Sequence, residues 1–255
     1  FTRDFRDQLR KVVLDLAGNE AWYAHDGAGQ RVRKLVDKGA VTEERIYVGG
    51  WEVWRKRVNG TLDEERTTLH VRDGERRVAM VETKTVAGGQ AVGSPVARWR
   101  FQLDDHLGSA VSECDEEGGV FSYEELHPYG SVAWSAVDSA LDVSPRRYRY
   151  TGMERDEETG LQAHGVRMYA PWLGRWDRPD PIGLGDGVNR WGYVHGRVAG
   201  SHDRSGKAPP TDEQQNNIAA NRAANAKVAD VARVEGQNSA IIGMASGALN
   251  AASDW

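Results

Sequence analysis

Apolar and polar positions alternate with a period of two over the first half of the chain. In ERIYVGGWEVWRKRVNG (residues 44–60), Ile46 and Val48 share one side before Gly49-Gly50 turns the chain. Beyond that turn Trp51, Val53 and Arg55 share one face, and Glu52, Trp54 and Lys56 the other. Asn59-Gly60 is a strong hairpin signal, and Asp73-Gly74 is a second, followed by the apolar run Val78-Ala79-Met80-Val81. Strands return at hairpin spacing with no helical period between them. This predicts a mainly β fold, a continuous antiparallel meander over residues 1–134 without a helix longer than three turns.

The hairpins repeat. WYAHDGAGQRVRK (Trp22 to Lys34) and LHVRDGERRVAMVE (Leu69 to Glu82) share an order: aromatic or histidine, spacer, Asp, Gly, basic, β-branched. A diverged copy runs from Phe101 to Gly130. In each, Asp and Gly are expected to make the turn, and an aromatic ring to pack on the next hairpin. A lone hairpin is marginal in water and needs its neighbours. An unpaired first strand is also a hazard, so the chain reads as a piece of something longer.

Composition narrows the picture. The 29 glycines and nine tryptophans suit short strands and tight turns. A net charge of −5, with Lys and Arg spread throughout, gives no basic face for nucleic acid. No apolar run is long enough to span a membrane. FTRDFRDQLR is charged where a signal peptide is apolar, so no N-terminal secretion signal is expected. The single Cys114 excludes internal disulfides, and its acidic neighbours should raise its pKa and make it a poor nucleophile.

RYRYTGMERDEETGL (Arg147 to Leu161), VRMYAPWLGRWDRPDPIGL (Val166 to Leu184) and NRWGYV (Asn189 to Val194) resemble the core segment of Rhs proteins and of the C component of Tc insecticidal toxins. The hairpins resemble YD repeats, and RIYVGGWEVWRKRVNGT resembles the Tc and SpvB-like branch. The resemblance covers most of the chain. It implies a hollow β-cocoon wound from a spiral sheet, with shell hairpins over residues 1–134. A core plug would follow over 135–206, and a helical effector start over 207–255. It also implies as partners the rest of the shell, the encapsulated C-terminal effector, an immunity protein, and delivery machinery (a Tc-type translocation pore or a type VI secretion spike). The product would be secreted or injected into a target cell.

The sharpest candidate chemistry is a pair of aspartates. Asp180 lies in RPDPIG, and Asp203 lies in HDRSG, 23 positions later. By residue type alone, aspartates in turn-rich loops are usually turn-formers. The resemblance implies instead an aspartyl autoprotease that cuts just after the second motif, around Gly206, Lys207 and Ala208. Two neighbouring carboxylates can share one proton and divide acid and base roles. Pro179 would stiffen the backbone at Asp180, His202 could tune the pair, and Arg175 could support it. The family's second motif is Asp-Pro-x-Gly-Leu. Here Arg204 and Lys207 replace the proline and the leucine, which removes an apolar anchor.

The remaining signals are weaker. GAGQRV (Gly27 to Val32) reads as a turn rather than a dinucleotide loop. The histidines show no metal-ligand spacing, and no cofactor is expected. Trp172, Trp176 and Trp191 read as plug core, with Tyr148 and Tyr169 buried beside them. Arg155 and Arg175 are expected to pair with carboxylates. Beyond Gly206, Thr211 is a candidate N-cap before an alanine-rich helix, and Gly243 and Gly247 suggest helix packing. The competing reading is a structural or adhesion scaffold with a degenerate protease site.

Overall fold

The structure, a computed structural model, describes residues 1–138 and 142–207. The helical tail expected after Gly206, Thr211 and the Gly243–Gly247 pair lie outside the described residues.

Thirteen strands build one sheet. They are β1 (Thr2–Arg3), β2 (Leu9–Val13), β3 (Glu20–His25), β4 (Arg31–Lys38), β5 (Val41–Val48), β6 (Trp51–Val58) and β7 (Thr61–Asp73). The sheet continues with β8 (Arg76–Ala87), β9 (Gln90–Ala91), β10 (Ala97–Asp104), β11 (Ala110–Cys114), β12 (Val120–Leu126) and β13 (Val132–Val137). Every pairing is antiparallel and between sequence neighbours, except that β10 pairs with β8 while the short β9 also hangs on β8. Among the described residues the only helical elements are two 3-10 turns, Tyr150–Gly152 and Val194–Gly196. The mainly β meander is therefore as expected from the alternation.

Two kinds of turn close the hairpins. Gly49-Gly50 and Asn59-Gly60 are two-residue turns, with Val48 opposite Trp51 and Val58 opposite Thr61. Asn59 and Gly60 both have positive φ (50° and 79°), the geometry for which Asn-Gly is suited. The third expected turn is shifted by one residue. Asp73 still pairs with Arg76, so Gly74-Glu75 make the bend. The second kind spans five residues and begins with an aspartate. The Asp26 carboxylate accepts the Ala28 and Gln30 amides, each at 2.9 Å, and Gly29 takes φ 87°. Asp15, Asp105 and Asp115 do the same with Gly18, Gly108 and Gly118 in the positive-φ position. In the WYAHDGAGQ repeat the turn glycine is thus Gly29, not the Gly27 next to the aspartate. The side chain, acting as a fixed acceptor, needs an intervening residue before it can reach two amides.

Residues 142–207 lie against one face of this sheet and carry a second, four-stranded sheet. It comprises β14 (Glu154–Arg155), β15 (Gln162–His164), β16 (Arg167–Ala170) and β17 (Arg175–Trp176). Leu161, Met168 and Ala170 pack on Leu9, Val12, Ala21, Tyr23 and Val36 of β2 to β4. Tyr150, Tyr169, Trp176, Tyr193 and Val194 form an aromatic core within the covering layer. Tyr148, Tyr169 and Trp176 are buried as expected, but Trp172 and Trp191 remain 56% and 45% exposed. Trp172 sits on the turn between β16 and β17, where it covers Gly160 rather than entering the core.

Farther along, the covered face is charged. Glu52, Glu82, Glu113 and Glu124 are buried on β6, β8, β11 and β12, and arginines reach them. Arg147 bridges Glu52 and Glu154, Arg100 meets Glu113 at 2.6 Å, and Arg149 meets Glu124. Tyr148 donates its hydroxyl to Glu52, and the Ser144 amide donates to Glu82. Neither Arg155 nor Arg175, the two expected to pair, forms an ion pair among the described residues, although the charge of Arg155 acts on the buried Glu124. Arg175 is exposed on β17 and so needs no buried partner.

Candidate functional site

Asp180 and Asp203 both lie in loops of the covering layer and are 3% and 2% exposed. The sequence places them in turns, and each carboxylate does cap one. Asp180 Oδ1 accepts the Ile182 amide at 2.9 Å. Asp203 Oδ1 accepts the Ser205 amide at 3.1 Å, the Ser205 hydroxyl at 2.8 Å and the Gly206 amide at 2.9 Å. In both, one oxygen is held by local donors and Oδ2 is left for longer-range contact.

Those two Oδ2 atoms share one guanidinium. Arg167 Nη2 lies 2.8 Å from Asp180 Oδ2 and 3.5 Å from Asp203 Oδ2. Its Nε donates to the Gly206 carbonyl at 2.6 Å, and its guanidinium stacks 4.1 Å over the Trp176 ring. Arg167 belongs to β16, whose four residues are all buried, so the strand delivers the charge into the interior. Burial pushes its pKa down, against the pull of Asp180 and Asp203. Burial likewise raises the Asp203 pKa, opposed by Ser205 and Arg167.

The segment from Asp203 to Lys207 is seated by backbone contact. The Val166 amide donates to the Ser205 carbonyl at 3.1 Å. Gly206 has φ 67°, and a Cβ there would strike the His164 carbonyl and lie 2.9 Å from the Arg167 amide, so glycine is required. His164 holds the other end, its Nδ1 donating to the Asp203 carbonyl at 2.7 Å. Enclosed by Tyr169, Trp176 and Tyr193, this imidazole is pushed down to about 3 by burial and is neutral at ordinary pH.

Of the other residues singled out in the sequence, Pro179 is half-buried beside Asp180, and Arg175 points outward. His202 is half-buried, but the imidazole on Asp203 belongs to His164. Lys207 is exposed, and Ala208 lies outside the described residues. Arg204, in place of the proline, reaches the Glu75 carbonyl at 3.3 Å and the Leu107 carbonyl at 3.5 Å. Burial raises the Cys114 pKa, with Asp115 and Glu113 adding to it. Among the described residues no cluster of His, Cys, Asp and Glu could hold a metal ion.

Arg167 and His164 were missed as site residues. The one available signal for Arg167 was a charged residue beginning the otherwise apolar strand RMYA.

Fold and site together define a segment of a hairpin-repeat β-shell whose covering layer buries a two-aspartate, one-arginine cluster. No protein-family model matches the chain. It is 34% identical over 212 residues to the toxin subunit YenC2 of Yersinia entomophaga, covering 80% of this chain and 22% of that protein. It is 28% identical to the toxin protein Tse5 of Pseudomonas aeruginosa, covering 82% of this chain and 16% of Tse5. The crystal structure of TcdB2-TccC3 without its hypervariable C-terminal region superposes with a TM-score of 0.72 at 29% identity, over 80% of this chain and 10% of that one. The chain thus spans about a fifth or less of the curated relatives it matches. It belongs to the Rhs/YD-repeat toxin proteins and is a homologue of Tc toxin C subunits.

Proposed function

We propose that this chain closes a toxin-encapsulating Rhs shell and cuts itself after Lys207, freeing a C-terminal effector held inside. One observation carries the reading. Two aspartates from separate loops converge, buried, on one guanidinium that also holds the Gly206 carbonyl, one residue before the proposed cut. Two ionised carboxylates and one arginine leave a net negative charge in a dry site, which favours uptake of one proton. Asp203, whose pKa burial raises, is the member that keeps it. Asp180 then takes a proton from a water attacking the Lys207 carbonyl carbon, and Asp203 protonates the departing Ala208 nitrogen. The products are a carboxylate on Lys207 and an amine on Ala208. Holding the scissile segment in the same chain replaces a bimolecular search with fixed geometry.

The partners in this reading are the remainder of the shell, the effector, a cognate immunity protein and a delivery device of Tc or type VI kind. The protein would be secreted or injected. A second reading has its own support. Arg167 contacts both carboxylates as in a purely structural ion cluster, the arrangement of a closure that never cuts.

Intact mass of the full chain separates the two. Wild type should yield a fragment ending at Lys207, while Asp180→Asn and Asp203→Asn stay whole with unchanged circular dichroism. Uncut wild type supports the structural reading, and continued cutting in both variants refutes the dyad.

A further inference from the structure

A closed network of buried charge ties the covering layer to the sheet. Arg31 meets Glu154 and Asp156, and Lys34 meets Asp156 and Glu158. Arg45 meets Glu52, and Arg147 meets Glu52 and Glu154. Four cations thus balance four carboxylates. Arg77 of β8 joins this network as a fifth cation with no carboxylate of its own, although it is only 7% exposed. Its Nε donates to Nδ1 of His70 at 2.9 Å, and its Nη1 to the Gly152 carbonyl at 3.4 Å. Its guanidinium carbon lies 3.3 Å over the Tyr148 ring. His70 cannot carry the missing negative charge, because with Nδ1 accepting from Arg77 its Nε2 proton serves Glu52. Arg77 Nη2 has no hydrogen-bond partner among the described residues. Glu52 acts on Arg77 electrostatically without forming an ion pair, and a cation so enclosed favours an anion placed directly against it. Burial also pushes the Arg77 pKa down to about 10.

Arg77 lines a cavity of about 630 Å³ whose wall also carries Arg72, Arg204, Ser205 and Lys207, with the carboxylates of Glu75 and Glu154. The segment leading to the proposed cut therefore runs along the chamber that holds the unmatched guanidinium. In the intact chain Lys207 contributes only a neutral peptide carbonyl. Hydrolysis of the Lys207–Ala208 bond consumes one water and turns that carbonyl into an α-carboxylate. We infer that Arg77 is an oxyanion site, and that its native occupant is the Lys207 carboxylate created by self-cleavage. The inference about the occupant rests on the proposed cut after Lys207. Captured there, the new terminus stays on the shell and is withheld from the reverse reaction, while the other product leaves.

Acetate, titrated into the full-length chain by calorimetry at fixed ionic strength with chloride as control, tests both parts. The uncut Asp180→Asn chain should bind one acetate saturably. Arg77→Gln in that background should weaken binding about tenfold or more, the expected loss of one charge-assisted contact, while Arg77→Lys retains part of it. Circular dichroism and thermal unfolding check that the variants fold. Self-cleaved wild type should bind acetate at least about tenfold more weakly than the uncut chain, its own carboxylate being in place. Failure of the uncut chain to bind, or equal binding by a folded Arg77→Gln, overturns the oxyanion site. Equal binding by cut and uncut chains overturns the occupant alone. If the mass shows wild type never cut, the cleavage reading and the occupant fall together, and acetate binding still decides the site.

Discussion

The covering layer meets the hairpin sheet in two regions that use opposite chemistry. Over β2 to β4 an apolar patch sets Leu161, Met168 and Ala170 against Leu9, Val12, Ala21 and Val36, bordered on β4 by the ion pairs of Arg31 and Lys34. Over β6 to β12 the contact is ionic, with Arg147 and Tyr148 reaching Glu52 and Arg149 reaching Glu124. Apolar contact is non-directional and tolerates sliding. A buried carboxylate accepts only from a donor that reaches it, so the ionic region fixes which strand each residue of the layer addresses. Apolar packing therefore supplies adhesion, and the carboxylates supply register.

The largest effect should come from Glu52. Arg45, Arg147, Tyr148 and His70 all converge on it, so Glu52→Ala strands the buried Arg45 and leaves Arg147 with Glu154 alone. A loss of about 3–5 kcal/mol in urea unfolding is expected. Met168→Ala probes the apolar side and should cost about 3 kcal/mol by opening a cavity. If the apolar truncation proves the more damaging, the division of labour argued above fails. Amide exchange sharpens the contrast further. Met168→Ala should leave the Arg147–Glu154 segment protected, whereas Glu52→Ala should expose it.

The smallest effect at neutral pH concerns His164. Unfolded, its imidazole takes a proton near 6.5; folded, only at about 3. Between these values the unfolded chain binds more protons, so stability falls as pH falls through that window and is fully present above it. His164→Gln keeps a donor for the Asp203 carbonyl and removes the titration. Its stability curve should be flatter than wild type from pH 6.5 to about 5, before the carboxylates titrate, and should match wild type in shape at pH 8. Identical slopes in that window would show that His164 is not the buried neutral imidazole described.

Much of the sheet was legible because a period of two and an Asn-Gly pair are local signals. Val58, Asn59, Gly60 and Thr61 specify their hairpin without reference to the rest of the chain. The five-residue turns were misplaced within the repeat because Asp26-Gly27 looks like a two-residue turn, whereas the carboxylate's reach to Ala28 and Gln30 selects the longer one. Trp172 was read as core because aromatic residues usually are, yet its place on a turn leaves it outside. The arginine pairings were illegible for a different reason. Arg147 and Glu52 are 95 residues apart, and only the packed layer brings them together. The same holds at the candidate site. Asp180 and Asp203 could be named from their motifs, but Arg167 becomes part of the cluster only when β16 is laid between their loops.

The aspartate-capped turns bear on how this architecture assembles in time. Each closes a short loop with its own carboxylate, and the strands it joins are neighbours in the sequence. Short loops close quickly and at low entropic cost, so hairpins can add one after another, each templated on the last. The charge network spanning Arg31, Glu52, Arg147 and Glu154 has no such local route, since its members are up to 123 residues apart. Sheet growth should therefore precede locking, which waits until the arginine-bearing segment has been made and laid on the strands.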